Sequence, residues 1–191
     1  MIPPRFPKPY ADLVARLRVP LGFALVAAFA WFSHPAARSL AFGLPLSLTG
    51  LALRAWAAGH LAKNQALATS GPYAYTRNPL YLGTLLVAAG LAVASQSLAL
   101  GLLFAAVFGL VYLPVMQLEE QHLRSLFPEY AAYAARVPAL WPWRTLRSSA
   151  ANFRSRDSRS FQWPLYMRNG EYQAAVGLLA GALFLVWKAL R

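Results

Sequence analysis

An all-α integral membrane protein of about five transmembrane helices is the fold class this sequence predicts, and three observations predict it. Hydrophobic residues fill 58% of the 191 positions and charged residues only 13%, a balance too apolar for a water-soluble domain. The apolar residues gather in runs close to the roughly 20 residues that a helix needs to cross a bilayer. Lysine and arginine number 18 against 6 acids, for a net charge of +12, and they collect on alternate sides of those runs, as cytoplasmic segments do. Beside membrane-length apolar runs, the partner this charge implies is an anionic lipid surface and not nucleic acid.

The elements follow in chain order. The N-terminal arm, MIPPRFPKPYADLVARLR, lacks the short apolar core and small-residue cleavage site of a secretory signal. The first span runs from about Val19 to Ala37, and the second from about Ser39 to Ala62, with Arg54 and His60 in its last turns. Asn78-Pro79 suits a helix start, with Asn as N-cap and Pro where its missing N–H costs nothing, so the third span begins at Pro79 and ends near Ser95. Ser95-Gln96-Ser97 is short enough to force the fourth span, about Leu98 to Leu118, back as an antiparallel hairpin over 79–118. After it, LRSLFPEYAAYAARVPALWPW reads as short cytoplasmic interfacial helices, with Trp141 and Trp143 as headgroup anchors. An Arg-rich linker over 144–171 then holds anionic lipid, and the fifth span, about Tyr172 to Leu190, lies between Glu171 and Lys188.

With the N-terminus inside, the cytoplasmic segments hold all the basic residues except Arg38, Lys188 and Arg191. The chain is expected to form one membrane domain, in a bacterial plasma membrane: spans over 19–62, a core over 63–143, the linker, and a last span over 172–190. The absence of cysteine excludes disulfides, thiolate metal sites and cysteine nucleophiles. His60 and His122 have no carboxylate at ligand spacing, so no metal site is expected.

The run GPYAYTRNPLYLG (71–83) holds the residues that helix formation leaves unexplained. Arg77 stands where a helix dipole is positive, which disfavours a cation. Tyr73, Tyr75 and Tyr81 suit an interfacial aromatic belt or a ligand site equally. Glu119 and Glu120, two of four glutamates, end the fourth span, where their charge opposes the dipole. The predicted hairpin puts Arg77 near these acids, either as a salt bridge closing it or as a site. Paired acids, an arginine, tyrosines and a lysine match a zwitterionic, cationic ligand such as S-adenosylmethionine. Its amino and sulfonium groups suit acids and aromatic faces, and its carboxylate suits Arg77 or Lys63.

These blocks, GPYAYTRNPLYLG, an apolar hairpin and then EEQHLRSLFPEYAAYAARVP, resemble the isoprenylcysteine carboxyl methyltransferase and phospholipid methyltransferase-like superfamily of integral-membrane enzymes. The shared pattern is G-P-Y-x-x-x-R-[HN]-P-x-Y-x-G, then E-E-x-x-L, then F-x-x-Y-x-x-Y, over roughly residues 50 to 143. The resemblance implies a methyl donor, S-adenosylmethionine, leaving S-adenosylhomocysteine. The donor is expected on Arg77, Asn78, Pro79, Tyr81 and Gly83 from the first block and Glu119 and Glu120 from the second. Lys63 and Leu67 stand ahead of the first block, Tyr73 lies within it, and Tyr130 and Tyr133 lie three apart as a lid. Arg77 and Glu120 are the catalytic candidates, and the acceptor is lipophilic or lipid-anchored. Asn78 replaces the usual histidine of the isoprenylcysteine enzymes and carries no charge. A carboxylate acceptor needs no base, whereas an amine needs one, for which Glu120 is the candidate. Gly83 admits either the cofactor or a neighbouring helix. Two other readings keep the helices: a reductase of related architecture using a dinucleotide, and a small membrane scaffold or transport component.

Overall fold

The computed structural model describes residues 6–142 and 160–191, and the regular structure among them is helical. In chain order it comprises α1 (Lys8–Phe32), α2 (Ala37–Ala58), a 3-10 turn (Gly71–Ala74) and α3 (Pro79–Ser95). Then come α4 (Leu98–Leu126), which passes through a π turn at Phe108–Tyr112, α5 (Tyr130–Arg136), α6 (Trp163–Arg168) and α7 (Tyr172–Ala189). The helices α2, α4 and α7 are long and apolar enough to cross a membrane. The two parts of α1, Lys8–Leu17 and Val19–Phe32, are bent by 55° and make a fourth span if counted as one, while α3 is apolar but has 17 residues. The expected all-helical membrane fold is therefore found. Trp143 and most of the expected Arg-rich linker lie outside the described residues.

Three helix boundaries differ from the sequence reading, each for a local reason. Helix α1 ends at Phe32 because Ser33 turns extended, at φ −76° and ψ 139°. Helix α2 stops at Ala58, before Gly59, which leaves His60 beyond the helix. Helix α4 continues to Leu126 through Gln121, Leu123 and Arg124, all good helix formers, until Phe127-Pro128 disfavours a further turn. Glu119 and Glu120 thus lie inside a helix and not at its end, which removes the dipole argument for a compensating cation.

The chain packs as two compact units. The first is Met1–Ser47 with Val87–His122 and Leu179–Arg191, and the second is Leu48–Leu86 with Leu123–Leu178. The first has a core of Phe29, Leu40, Ala94, Leu100 and Leu185. There, a Cβ on Gly90 would lie 2.5 Å from both Gly43 O and Ser47 N, so small residues let α2 and α3 touch backbone to backbone. Ser47 Oγ donates to Val87 O at 3.1 Å and Ser39 Oγ to Ala94 O at 2.9 Å. Between α3 and α4, Gln96 takes φ +52° and Ser97 Oγ caps α4 by accepting from Leu100 N. Lys188 Nζ donates to Ala30 O at 2.9 Å and Trp31 O at 3.3 Å, satisfying carbonyls at the end of α1.

Candidate functional site

The run 71–83 lies wholly in the second unit. Gly71, at φ +57°, turns the chain into the 3-10 turn, with Pro72 in its first turn. A Cβ at Gly71 would also sit 2.7 Å from two His60 ring atoms, so the glycine makes room for the imidazole. His60 Nδ1 lies 2.9 Å from Trp56 O.

Beyond the turn, the chain is laced to the segment after α5. Arg77 N donates to Pro138 O at 2.9 Å and Asn78 Nδ2 to Ala139 O at 2.9 Å. Thr76 Oγ1 donates to Ala139 O at 3.3 Å and accepts from Asn78 N at 3.3 Å. Pro79 is fully buried and opens α3, whose Leu82 N bonds Asn78 O at 3.0 Å. Asn78 therefore marks the helix start as expected, while its side chain secures the Ala139 carbonyl.

Helix α5 turns Tyr130 and Tyr133 inward, 1% and 3% exposed, into a cluster with Val137, Leu67, Leu123 and Phe127. Their rings meet edge-on with centroids 6.0 Å apart, the arrangement that aromatic quadrupoles favour. Tyr133 OH donates to Tyr73 O at 2.7 Å. Arg77 Nη1 makes a long contact of 3.5 Å with Tyr130 OH, and Arg77 Nε is out of solvent contact. The Arg124 guanidinium, which the sequence reading did not single out, stands 5.3 Å from the Tyr130 ring centroid, within cation–π range. The structure thus assembles Leu67, Tyr73, Arg77, Asn78, Pro79, Tyr130 and Tyr133, with both α5 tyrosines as buried walls of the loop. Tyr81 is half-buried on α3, and Lys63 is exposed next to Asn64, which takes φ +60°.

Gly83 is buried, and a Cβ there would lie 2.5 Å from Arg54 Cγ and 2.7 Å from Gly50 O. It admits the neighbouring helix α2. Arg54 uses that space to form a bidentate pair with Glu171, Nε to Oε2 at 2.9 Å and Nη2 to Oε1 at 2.8 Å. Its Nη1 donates to Leu80 O at 3.3 Å and to Thr84 Oγ1. With side chains 22% and 11% exposed, the pair is largely desolvated, and removing one partner of a buried pair costs about 3–5 kcal/mol. The sequence reading noticed both residues but did not join them, because 117 positions separate them.

Glu119 and Glu120 belong to the first unit, on α4, the former exposed and the latter half-buried. One turn earlier, Gln117 holds the N-terminal arm: Oε1 accepts from Phe6 N and Nε2 donates to Phe6 O, both at 3.0 Å. Tyr10 OH donates to Leu110 O at 2.6 Å, within the π turn. Among the described residues, no group of three His, Asp or Glu side chains is placed to hold a metal ion.

These features define a helical protein in which a polar loop joins α2, a helix of membrane-spanning length, to the shorter apolar helix α3. The chain belongs to the phospholipid methyltransferase family, whose pattern matches residues 17–130. Two curated relatives are similar over part of it. The cobalt-zinc-cadmium resistance protein CzcN of Cupriavidus metallidurans is 42% identical over 105 residues, covering 52% of this chain and 49% of that protein. The nickel-cobalt-cadmium resistance protein NccN of Alcaligenes xylosoxydans xylosoxydans is 34% identical over 102 residues, covering 52% of this chain and 48% of that one. The matched stretch therefore spans about half the length of each relative. No solved structure matches the chain.

Proposed function

We propose that this protein is an integral-membrane methyltransferase that uses S-adenosylmethionine to methylate a lipophilic or lipid-anchored acceptor, with its N-terminus and site on the cytoplasmic side of a bacterial plasma membrane. The observation that carries the reading is the family match together with the half-buried lacing of Arg77 and Asn78 to the segment after α5. The donor set fits the cofactor chemically. A guanidinium beside a tyrosine hydroxyl suits its carboxylate, and Lys63, exposed on the same loop, offers a second cation. S-adenosylmethionine, when bound, supplies an electrophilic methyl group.

The chain's own task is alignment and exclusion of water. The bond from Arg77 N to Pro138 O holds the backbone from which the guanidinium reaches, which limits the reorganisation needed to orient a carboxylate. For a carboxylate acceptor no proton moves. For an amine acceptor, a base must take the proton released on nitrogen. Mass spectrometry of lipids from cells expressing the protein tests the reading: a lipid gaining one methyl mass is expected with the wild type and not with Arg77→Ala. Unchanged lipid profiles in both would count against it.

The names of the relatives favour a place in metal resistance for this chain as well. We read that place as a consequence of methylating an envelope lipid. Loss of the gene should then lower growth in cobalt, zinc or cadmium, with rescue by the wild type but not by Arg77→Ala. Equal rescue by both would remove methylation from the explanation.

A further inference from the structure

The family pattern ends at residue 130, yet a later segment is bonded into the frame of the second unit. Gln162 N donates to Gly59 O at 2.9 Å. The Phe161 ring lies over Gly59, where a Cβ would overlap it. Asn169 Nδ2 donates to both Ala58 O, the last residue of α2, and Leu61 O, three residues beyond it, at 2.9 Å, tying the segment to the chain that leaves α2. Glu171 then pairs with Arg54 through two bonds, and Arg54 passes the connection on to Leu80 O and Thr84 Oγ1. Those atoms belong to the first turns of α3, immediately after Arg77 and Asn78.

We propose that Phe161–Glu171 is a working part of the donor site, with Arg54 and Glu171 as positioning residues that set the first turn of α3 and hence Arg77. This rests on the methyl-donor reading above. A planar guanidinium gripped by both carboxylate oxygens has one orientation, which a single-point contact does not impose. Arg54 thereby presents Nη1 to the Leu80 carbonyl and Thr84 Oγ1 at a fixed angle. Without Glu171 the guanidinium keeps its charge but loses the grip that aims it. Gly83 is small so that this side chain can pass, which gives the motif glycine a role tied to a residue far outside the motif.

The test uses the full chain in detergent micelles, with Glu171→Gln, Arg54→Lys and the milder Asn169→Ala, which detaches the segment at its other anchor. Amide hydrogen exchange is followed by mass spectrometry, and S-adenosylhomocysteine affinity by calorimetry well below the melting temperature. Each variant is expected to speed exchange at amides 80–84 by about tenfold while 98–107 stay unchanged, as a local opening does. Each is also expected to weaken S-adenosylhomocysteine by about tenfold, because small misplacements are costly. Unchanged exchange at 80–84, or a uniform rise over both segments, would overturn the proposal. So would faster exchange at 80–84 with wild-type affinity, since the segment would then only stabilise the fold. If the wild type itself binds no S-adenosylhomocysteine, the donor reading fails, and the donor-site role of the segment with it. The exchange data then still decide whether the segment sets α3.

Discussion

Gly83→Ala isolates the close approach on which the placement of the motif helix depends. The added Cβ would lie 2.5 Å from Arg54 Cγ, 2.7 Å from Gly50 O and 3.3 Å from Arg54 N. Two of those three atoms are backbone, so the side chain of Arg54 cannot relieve the overlap alone. Because ordinary carbon–oxygen contact needs clearly more than 2.7 Å, α2 and α3 must separate by roughly half an ångström or more. Overpacking of this kind costs about 1–3 kcal/mol, partly offset by the roughly 0.5–1 kcal/mol that alanine gains over glycine in a helix. Gly177 provides the control, since nothing lies within 4 Å of a Cβ there, and Gly177→Ala should keep only the gain. At about 2–4 °C per kcal/mol for a chain of this size, Gly83→Ala should melt several degrees below Gly177→Ala by intrinsic tryptophan fluorescence in micelles. Equal melting temperatures would refute the backbone contact.

The remaining predictions address the other anchors. Tyr133→Phe removes the 2.7 Å bond to Tyr73 O and should lower stability by about 1–2 kcal/mol, read as a lower melting temperature with unchanged helicity. Lys188→Met removes the donor to Ala30 O and Trp31 O and should cost about 1 kcal/mol, without altering any ligand affinity measured by calorimetry. Gln117→Leu frees both backbone atoms of Phe6 and should speed proteolytic cleavage near residues 6–8, leaving the α4 peptides protected.

Much of this fold could be read locally. Asn78-Pro79 and the short Ser95-Ser97 link announce the bounds of α3, because caps and turns are set by neighbouring residues. The three-residue spacing of Tyr130 and Tyr133 likewise puts both on one face of α5. Composition also marks the membrane helices, since length and apolarity need no partner. The missed features are those in which distant residues meet. Arg54 and Glu171 each look like an ordinary polar residue at a span end, and nothing near either names the other. Gly83 reads equally as room for a cofactor or a helix until Arg54 is seen filling it. The end of α4 was misjudged because polarity rises at Glu119, whereas helix propensity lasts until Pro128. Tyr130 and Tyr133 were expected as a lid, and their burial against Leu67 and Tyr73 became legible only once α5 was packed.

The most direct measurement is calorimetric titration of the purified protein with S-adenosylhomocysteine, run in parallel on Arg77→Ala and Lys63→Ala. Saturable binding by the wild type, weakened about tenfold or more in each variant while its melting curve is retained, is the predicted result. A wild type that takes up no S-adenosylhomocysteine, or variants that bind it as tightly as the wild type, would contradict the assignment.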